Sequence, residues 1–320
     1  MRTAGRRMLL PLRPQRSLQS AAAAREVAEY MLAKRMTPGD FEAGAYLREP
    51  GTGFLAAHAD MTLADAYAVH AAMEELAPHG GYKVGATNAA AQKGFGVEEP
   101  FCAPLPAAAI RSAAPAGAAG AALTIPAAEL GGGEGLRGGE AEWCFKLKPE
   151  GDAAWDALLA AAARDDVDAA AIVGVVNDLF PAVEVCATRY GTIPGPPSAP
   201  MKILDGGGNG AVVKATALPG PDAALPLAER LASFADRAVV ARVDGEVKAE
   251  GSGRDVLGDP LNALAWLANE LRGSPGRLGA LAGRIVMTGT CVGLVRVLPG
   301  QTFAADFEGY GVIEVDFPGA

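Results

Sequence analysis

Residues 138–147 read GGEAEWCFKL. The apolar and aromatic residues mark a buried strand, yet Glu140 and Glu142 sit inside it, one residue apart. Side chains alternate between the two faces of a strand, so both carboxylates point the same way, with Cβ atoms about 7 Å apart. Two carboxylates on a buried face repel each other and lose hydration, so the fold around them must supply a cation or several donors. A third carboxylate, Glu184, has the same setting in FPAVEVCATRY. Three converging carboxylates suit a hard divalent ion such as Mg2+ or Mn2+, which takes oxygen ligands and would keep about three of six positions for substrate and water. A solvent-facing strand edge is the plain alternative for an isolated E-x-E.

The same strand signal recurs. AVEVCAT, the segment 238–247, RIVMTGT and GVIEVDF are short, rich in β-branched or aromatic residues, and bounded by turn residues. VDGEV carries the Asp-Gly hairpin signal at Asp244 and Gly245. GGYKVGAT reads as a further short strand between glycines. Helices are expected over 26–36, over 61–76 with Thr62 as cap and Asp65 three residues on, and over 260–272 with Asp259 as cap and Pro260 at the first helical position. Residues 153–178 read as helical and Ala-rich, and 106–123 as an Ala/Pro/Gly-rich loop. Strands group in the C-terminal two-thirds without regular strand–helix alternation, which excludes a doubly wound sheet and gives α+β. Three regions are expected: 1–22 outside the fold, a helical region over 23–105 containing the Lys83 strand, and a β-rich catalytic domain over 106–320.

Half of the 320 residues are apolar, enough for a large core. A net charge of −9 argues against a nucleic-acid partner, and the absence of an apolar run of about 18 residues argues against a membrane span. The four cysteines, Cys102, Cys144, Cys186 and Cys291, form no C-x-x-C pair and read as reduced, buried thiols. Cys144 and Cys186 each fall two residues after a Glu of the candidate set. The first 25 residues carry six Arg and no acid, the composition of an organelle transit peptide or of a disordered extension. The first reading places the protein in a mitochondrial or plastid matrix, the second in the cytoplasm.

Seven stretches carry a family resemblance in their joint order: TLADAYAVH, GYKVGATNAAAQKGFGVEEPF, GGEAEWCFKL, FPAVEVCATRY, LDGGGNG, VLGDPLNALAWLANEL and VMTGTCVGLVRVLPGQTFAADFEGYG. The chain resembles the 2-oxopent-4-enoate (2-hydroxypentadienoate) hydratase family. That family lies within the fumarylacetoacetate hydrolase superfamily, which includes 4-oxalocrotonate decarboxylases and acylpyruvate hydrolases. The resemblance implies a mixed β-sheet roll or sandwich with peripheral helices, a homo-oligomer, and a metal-dependent enzyme on a 2-oxo acid. It implies that Glu140, Glu142 and Glu184 bind Mg2+ or Mn2+, and that Lys83 lies in the active site. Thr288, Gly289 and Thr290 would help hold the substrate, with Asp205 and Asn209 on a loop beside it. Two departures stand out. An acidic residue follows the Glu-Pro of many hydratases, whereas Phe101 and Cys102 follow Glu99 and Pro100 here. The family's AYAVQ reads AYAVH, which makes His70 a candidate general base if it faces the metal.

The implied chemistry has one intermediate, a metal-stabilised enolate formed from a chelated 2-oxo acid. Protonation and water attack give hydration, loss of CO2 gives decarboxylation, and water attack on a further carbonyl gives C–C hydrolysis. Lys83 would stabilise negative charge or relay a proton. The hydratase-like lyase is the leading reading. A decarboxylase or acylpyruvate-type hydrolase is the first rival, encouraged by the K-x-x-D of Lys202 and Asp205. A non-catalytic protein that binds a 2-oxo acid or oxalate is the second. His58 and His79 form no catalytic motif, and GGGNG at 206–210 lacks the Lys of a P-loop.

Overall fold

A computed structural model describes residues 18, 20–35, 60–113, 122–189, 197–216 and 224–319. The expected N-terminal extension, but for its last residues, and His58 lie outside the described residues. Thirteen strands lie within them. The first seven are β1 (His79–Gly85), β2 (Phe101–Pro106), β3 (Ile110–Ala113), β4 (Leu123–Thr124), β5 (Leu136–Leu147), β6 (Val176–Ala187) and β7 (Asn209–Ala215). The rest are β8 (Ala238–Val243), β9 (Glu246–Ser252), β10 (Ile285–Thr290), β11 (Val295–Arg296), β12 (Thr302–Phe307) and β13 (Gly311–Asp316). One sheet runs β2-β1-β10-β5-β6-β7-β3, with β11 also paired to β5; the other runs β4-β13-β12-β8-β9. Both mix parallel with antiparallel pairing, β1–β10 and β3–β7 being parallel in the first. The first sheet crosses the division expected after residue 105, because β1 and β2 pair into it beside β10.

The sheets pack face to face, β13 over β6 and β7 and β8 against β5. Alternation along β5 sends Ala141, Trp143 and Phe145 into this interface, all of them buried. The Trp143 ring meets Phe234, Phe307 and Tyr310 edge-on, at centroid distances of 5.2, 5.0 and 4.9 Å. Its alternating neighbours, Glu140 and Glu142, therefore face the opposite side of the first sheet.

Helices close that opposite side. α1 (Ala21–Arg35) packs on α2 (Leu63–Leu76), and Ala24, Ala28 and Met31 bury against Ala66, Val69 and Met73. Thr62 and Asp65 form a full capping box, as the sequence predicts. α3 (Ala89–Phe95) follows β1 and is capped by Asn88. The segment expected to be helical over 153–178 resolves into α4 (Ala154–Ala163) and α5 (Ala169–Val173), and residues 176–178 already belong to β6. α6 (Ala199–Leu204) joins the α1–α2 core through Met201, Ile203 and Leu204. α7 (Pro260–Leu271) starts at the Asp259 cap, whose side chain accepts from the Leu261 N–H.

Asp244 and Gly245 both have positive φ, 51° and 82°, which fits the expected two-residue turn between β8 and β9. The expected loop over 106–123 is corrected in part. Ile110–Ala113 is a strand, because β7 offers it a parallel partner with Ile110 opposite Val212.

If the Trp143 cluster holds the two sheets together, Trp143→Ala should cost about 3–5 kcal/mol of stability. Urea denaturation followed by circular dichroism measures it, and a loss under about 1 kcal/mol would contradict the packing described.

Candidate functional site

The site is built where β5 meets β6. Glu140 on β5 lies directly opposite Glu184 on β6, so like charges are paired across the ladder. Glu142 and Glu184 are buried almost completely, while Glu140 is partly open. Lys83 of β1 closes on Glu184, with Nζ 2.9 Å from Oε1 and 2.8 Å from Oε2. Lys83 also donates to the Gly207 carbonyl at 3.3 Å, and Asn209 Nδ2 donates to Glu184 Oε1 at 2.9 Å. Glu184 therefore has the cation and donors that its burial demands.

Glu142 is served differently. β10 carries a bulge between Met287 and Thr290, and the Gly289 N–H exposed there donates to Glu142 Oε2 at 2.9 Å. Gly289 has φ +98°, and a Cβ there would stand 2.2 Å from Thr87 Oγ1, so only glycine fits. Of its neighbours, Thr288 donates to the Trp143 carbonyl at 3.0 Å and Thr290 to the Gly293 carbonyl at 3.1 Å.

These groups line or underlie a cavity of about 740 Å³. Lys83, Glu140, Glu142, Gly289 and Thr290 are on its wall. Glu184 and Asn209 lie behind the wall, joined to it through Lys83. Asp205 is buried away from the cavity in an ion pair with Arg189, whose backbone N–H also donates to it at 3.2 Å. His70 is not on the wall either. Its Nε2 lies 3.4 Å from the Leu204 carbonyl, and its ring packs edge-on against Tyr67 in the helical core.

Several wall residues have no role assigned to them from the sequence. Arg137 donates through Nε and Nη2 to Thr188 Oγ1, at 3.2 and 3.0 Å. Thr188 keeps the parity of Glu184 and Cys186, a period-two signal that extends the β6 face by one residue. Arg137 breaks parity with Glu140 because β5 has a register shift between Leu136 and Gly138. Phe101 is the unexpected wall. Its ring lies 4.8 Å from Phe95 and 5.8 Å from Lys83 Nζ, beside the ammonium.

The electrostatics are one-sided. Burial, then Glu184, raise the Glu140 carboxyl from its ordinary 4.5 to about 7. Burial, then Glu184 and Glu140, hold Glu142 well above the usual carboxylate range. Burial alone would lower Lys83, but the surrounding anions, Glu184 first and Glu140 next, outweigh it and the ammonium is held above its ordinary value. Burial, then Glu140 and Glu184, push the Cys186 thiol up.

Two outcomes follow for the metal-free protein. Lys83→Met strands Glu184 in the interior and should cost about 3–5 kcal/mol by urea unfolding, with much of the loss returned by adding Glu184→Gln. Folding also raises Glu140 from 4.5 to about 7, so its contribution to stability is complete below pH 4.5 and lost as pH rises through about 7. Melting temperatures measured across that interval should fall with pH without divalent ions and fall less with saturating Mn2+.

No family model matches the chain. Among curated proteins, it is 42% identical over 76 residues to a 2-keto-4-pentenoate hydratase of Burkholderia vietnamiensis, covering 23% of this chain and 28% of that one. It is 37% identical over 79 residues to a 4-oxalocrotonate decarboxylase of Pseudomonas putida, covering 25% and 29%. The matches thus span less than a third of the length of these curated relatives. Among solved structures, 4-oxalocrotonate decarboxylase from Pseudomonas putida G7, in complex with magnesium and adipate, superposes with a TM-score of 0.69. That superposition covers 95% of this chain and 100% of the other at 22% identity, a likeness of fold. The expected resemblance is borne out: the chain is similar in sequence to 2-keto-4-pentenoate hydratases over about a quarter of its length, and has the α+β fold of 4-oxalocrotonate decarboxylase almost throughout.

Proposed function

We propose that this protein is a divalent-metal-dependent lyase acting on a small 2-oxo acid, with Glu140, Glu142 and Glu184 holding Mg2+ or Mn2+. The observation that carries the reading is the charge of the site. Three Glu carboxyl groups share one ammonium, which pairs directly with Glu184 behind the wall, while Glu140 and Glu142 line a cavity sized for a small molecule. A donor set of carboxylate oxygens fits a hard divalent ion, and the raised Glu140 and Glu142 carboxyls are those of acids still short of a cation. When bound, such an ion supplies Lewis-acid polarisation to a chelated 2-oxo oxygen.

The chain's own groups do the rest. Lys83, kept charged by its anions, is a fixed positive charge for negative charge that develops on the substrate. It acts as an electrostatic stabiliser and not as a base. The Gly289 N–H orients Glu142, and Thr290 lines the cavity wall. Phe95 and Phe101 make the wall beside Lys83 apolar and keep water from it.

Hydratase-like water addition is the first reading, supported by the hydratase relatives. Decarboxylation is the second, and Phe101 favours it. A phenyl ring moves no proton, and an apolar wall desolvates a departing carboxylate. The fold shared with 4-oxalocrotonate decarboxylase supports the same alternative.

The test is a panel of 2-oxo acids with protein and Mg2+, with water addition, CO2 release and pyruvate release followed separately. Turnover should appear in one of the first two channels. Pyruvate release would move the assignment to C–C hydrolysis, and no turnover would leave a binding protein. Glu142→Ala should abolish Mn2+ binding by calorimetry while circular dichroism stays native, and unchanged Mn2+ affinity would refute the site.

A further inference from the structure

All four cysteines are buried, but Cys186 alone among them lines the cavity. Period two on β6 places it on the face of Glu184, as it places Glu140 and Glu142 together on β5. Its Sγ lies 3.4 Å from Glu140 Oε2. That sulfur, one Glu140 oxygen and one Glu184 oxygen all fall within 4.8 Å of one another. Donors about 2.0–2.3 Å from one ion are separated by at most about 4–4.6 Å when they sit on opposite sides of it. The three atoms are therefore at ligand-to-ligand spacing with little adjustment.

We propose that Cys186 is a further ligand of the metal centre, one that joins Glu140 and Glu184 around borderline and soft divalent ions and stays protonated beside Mg2+. The proposal rests on the metal reading above and goes beyond it by naming a second class of ion that the same centre takes. On binding, the S–H bond breaks, its proton passes to solvent through the cavity, and a sulfur lone pair forms the bond to the ion; nothing is oxidised or reduced. Thiolate adds affinity for Co2+, Zn2+ and Cd2+, whereas Mg2+ gains nothing from sulfur. Without this role, Cys186 is a wall thiol that donates to Glu140, and replacing it leaves the order of ion affinities unchanged.

The experiment uses the full chain, freed of metal, as wild type, Cys186→Ser and Cys186→Ala, each checked by circular dichroism. Titration with Co2+ is followed by absorbance, and Cd2+, Mn2+ and Mg2+ affinities are measured by calorimetry. Wild type should develop the near-ultraviolet thiolate-to-cobalt charge-transfer band at one equivalent, and both variants should lack it. Cd2+ dissociation constants should rise at least about tenfold in the variants, with those for Mg2+ changing by less than about twofold. Mg2+ or Mn2+ binding by wild type without the Co2+ band would overturn the thiol ligand and leave the carboxylate site standing. A band that persists in the variants, or an unchanged Cd2+ affinity, would overturn it equally. Failure of every ion to bind wild type would remove the metal reading itself, and the proposal with it.

Discussion

The buried ion pair between Lys83 and Glu184 sets the shape of the molecule around it. Its two strands are three steps apart in the sheet, with β10 and β5 between them. On a flat sheet that is about 14 Å, with both side chains standing parallel, off the same face. Nζ nevertheless reaches both carboxylate oxygens. The two side chains close this gap across β10 and β5, on the face of the sheet that carries Glu140 and Glu142. Without that reach Glu184 would be buried without its cation, and a buried carboxylate without one is costly.

Alternation along β5 divides the labour between the two faces. One side carries Trp143 and Phe145 into the second sheet, where aromatic edges and faces lock. The other side carries the charges. The two are one residue apart along β5, so the strand is both the centre of the core and the floor of the site. A bulge in β10 completes the floor by turning the Gly289 N–H toward Glu142. Regular pairing would have tied that N–H into the ladder.

Much of this was legible in the sequence, because it is local. Alternation alone put Glu140 with Glu142, and the Thr62–Asp65 box, the Asp259 cap and the Asp244–Gly245 turn are written within a few residues of where they act. What escaped depends on distant partners. Lys83 and Glu184 are 101 positions apart, and nothing near either names the other. β2 reads FCAPLP, and its two prolines argue against a strand unless it lies at a sheet edge, which is where it lies. β12 contains TFAADF, weak as a strand former, and gains its state from β8 and β13 on either side. The absence of an acid after Pro100 was visible, but not that the Phe101 ring would press on Lys83 and Phe95. His70 lies two turns along α2 from its Thr62 cap, and whether it faced the cavity or the α1–α6 packing was decided by helices that sequence periodicity cannot orient.

The facing carboxylates of β5 and β6 also bear on the order in which the chain assembles. These are two of the longest strands, and zipping them brings Glu140 against Glu184 before anything compensates the repulsion. The compensating ammonium arrives only when β1 has docked on the far side of β10. That rung opposes the pairing, whereas the rungs on either side, Val183 with Ala141 and Val185 with Gly139, carry no charge. A counter-ion present during refolding would relieve the repulsion between the two carboxylates.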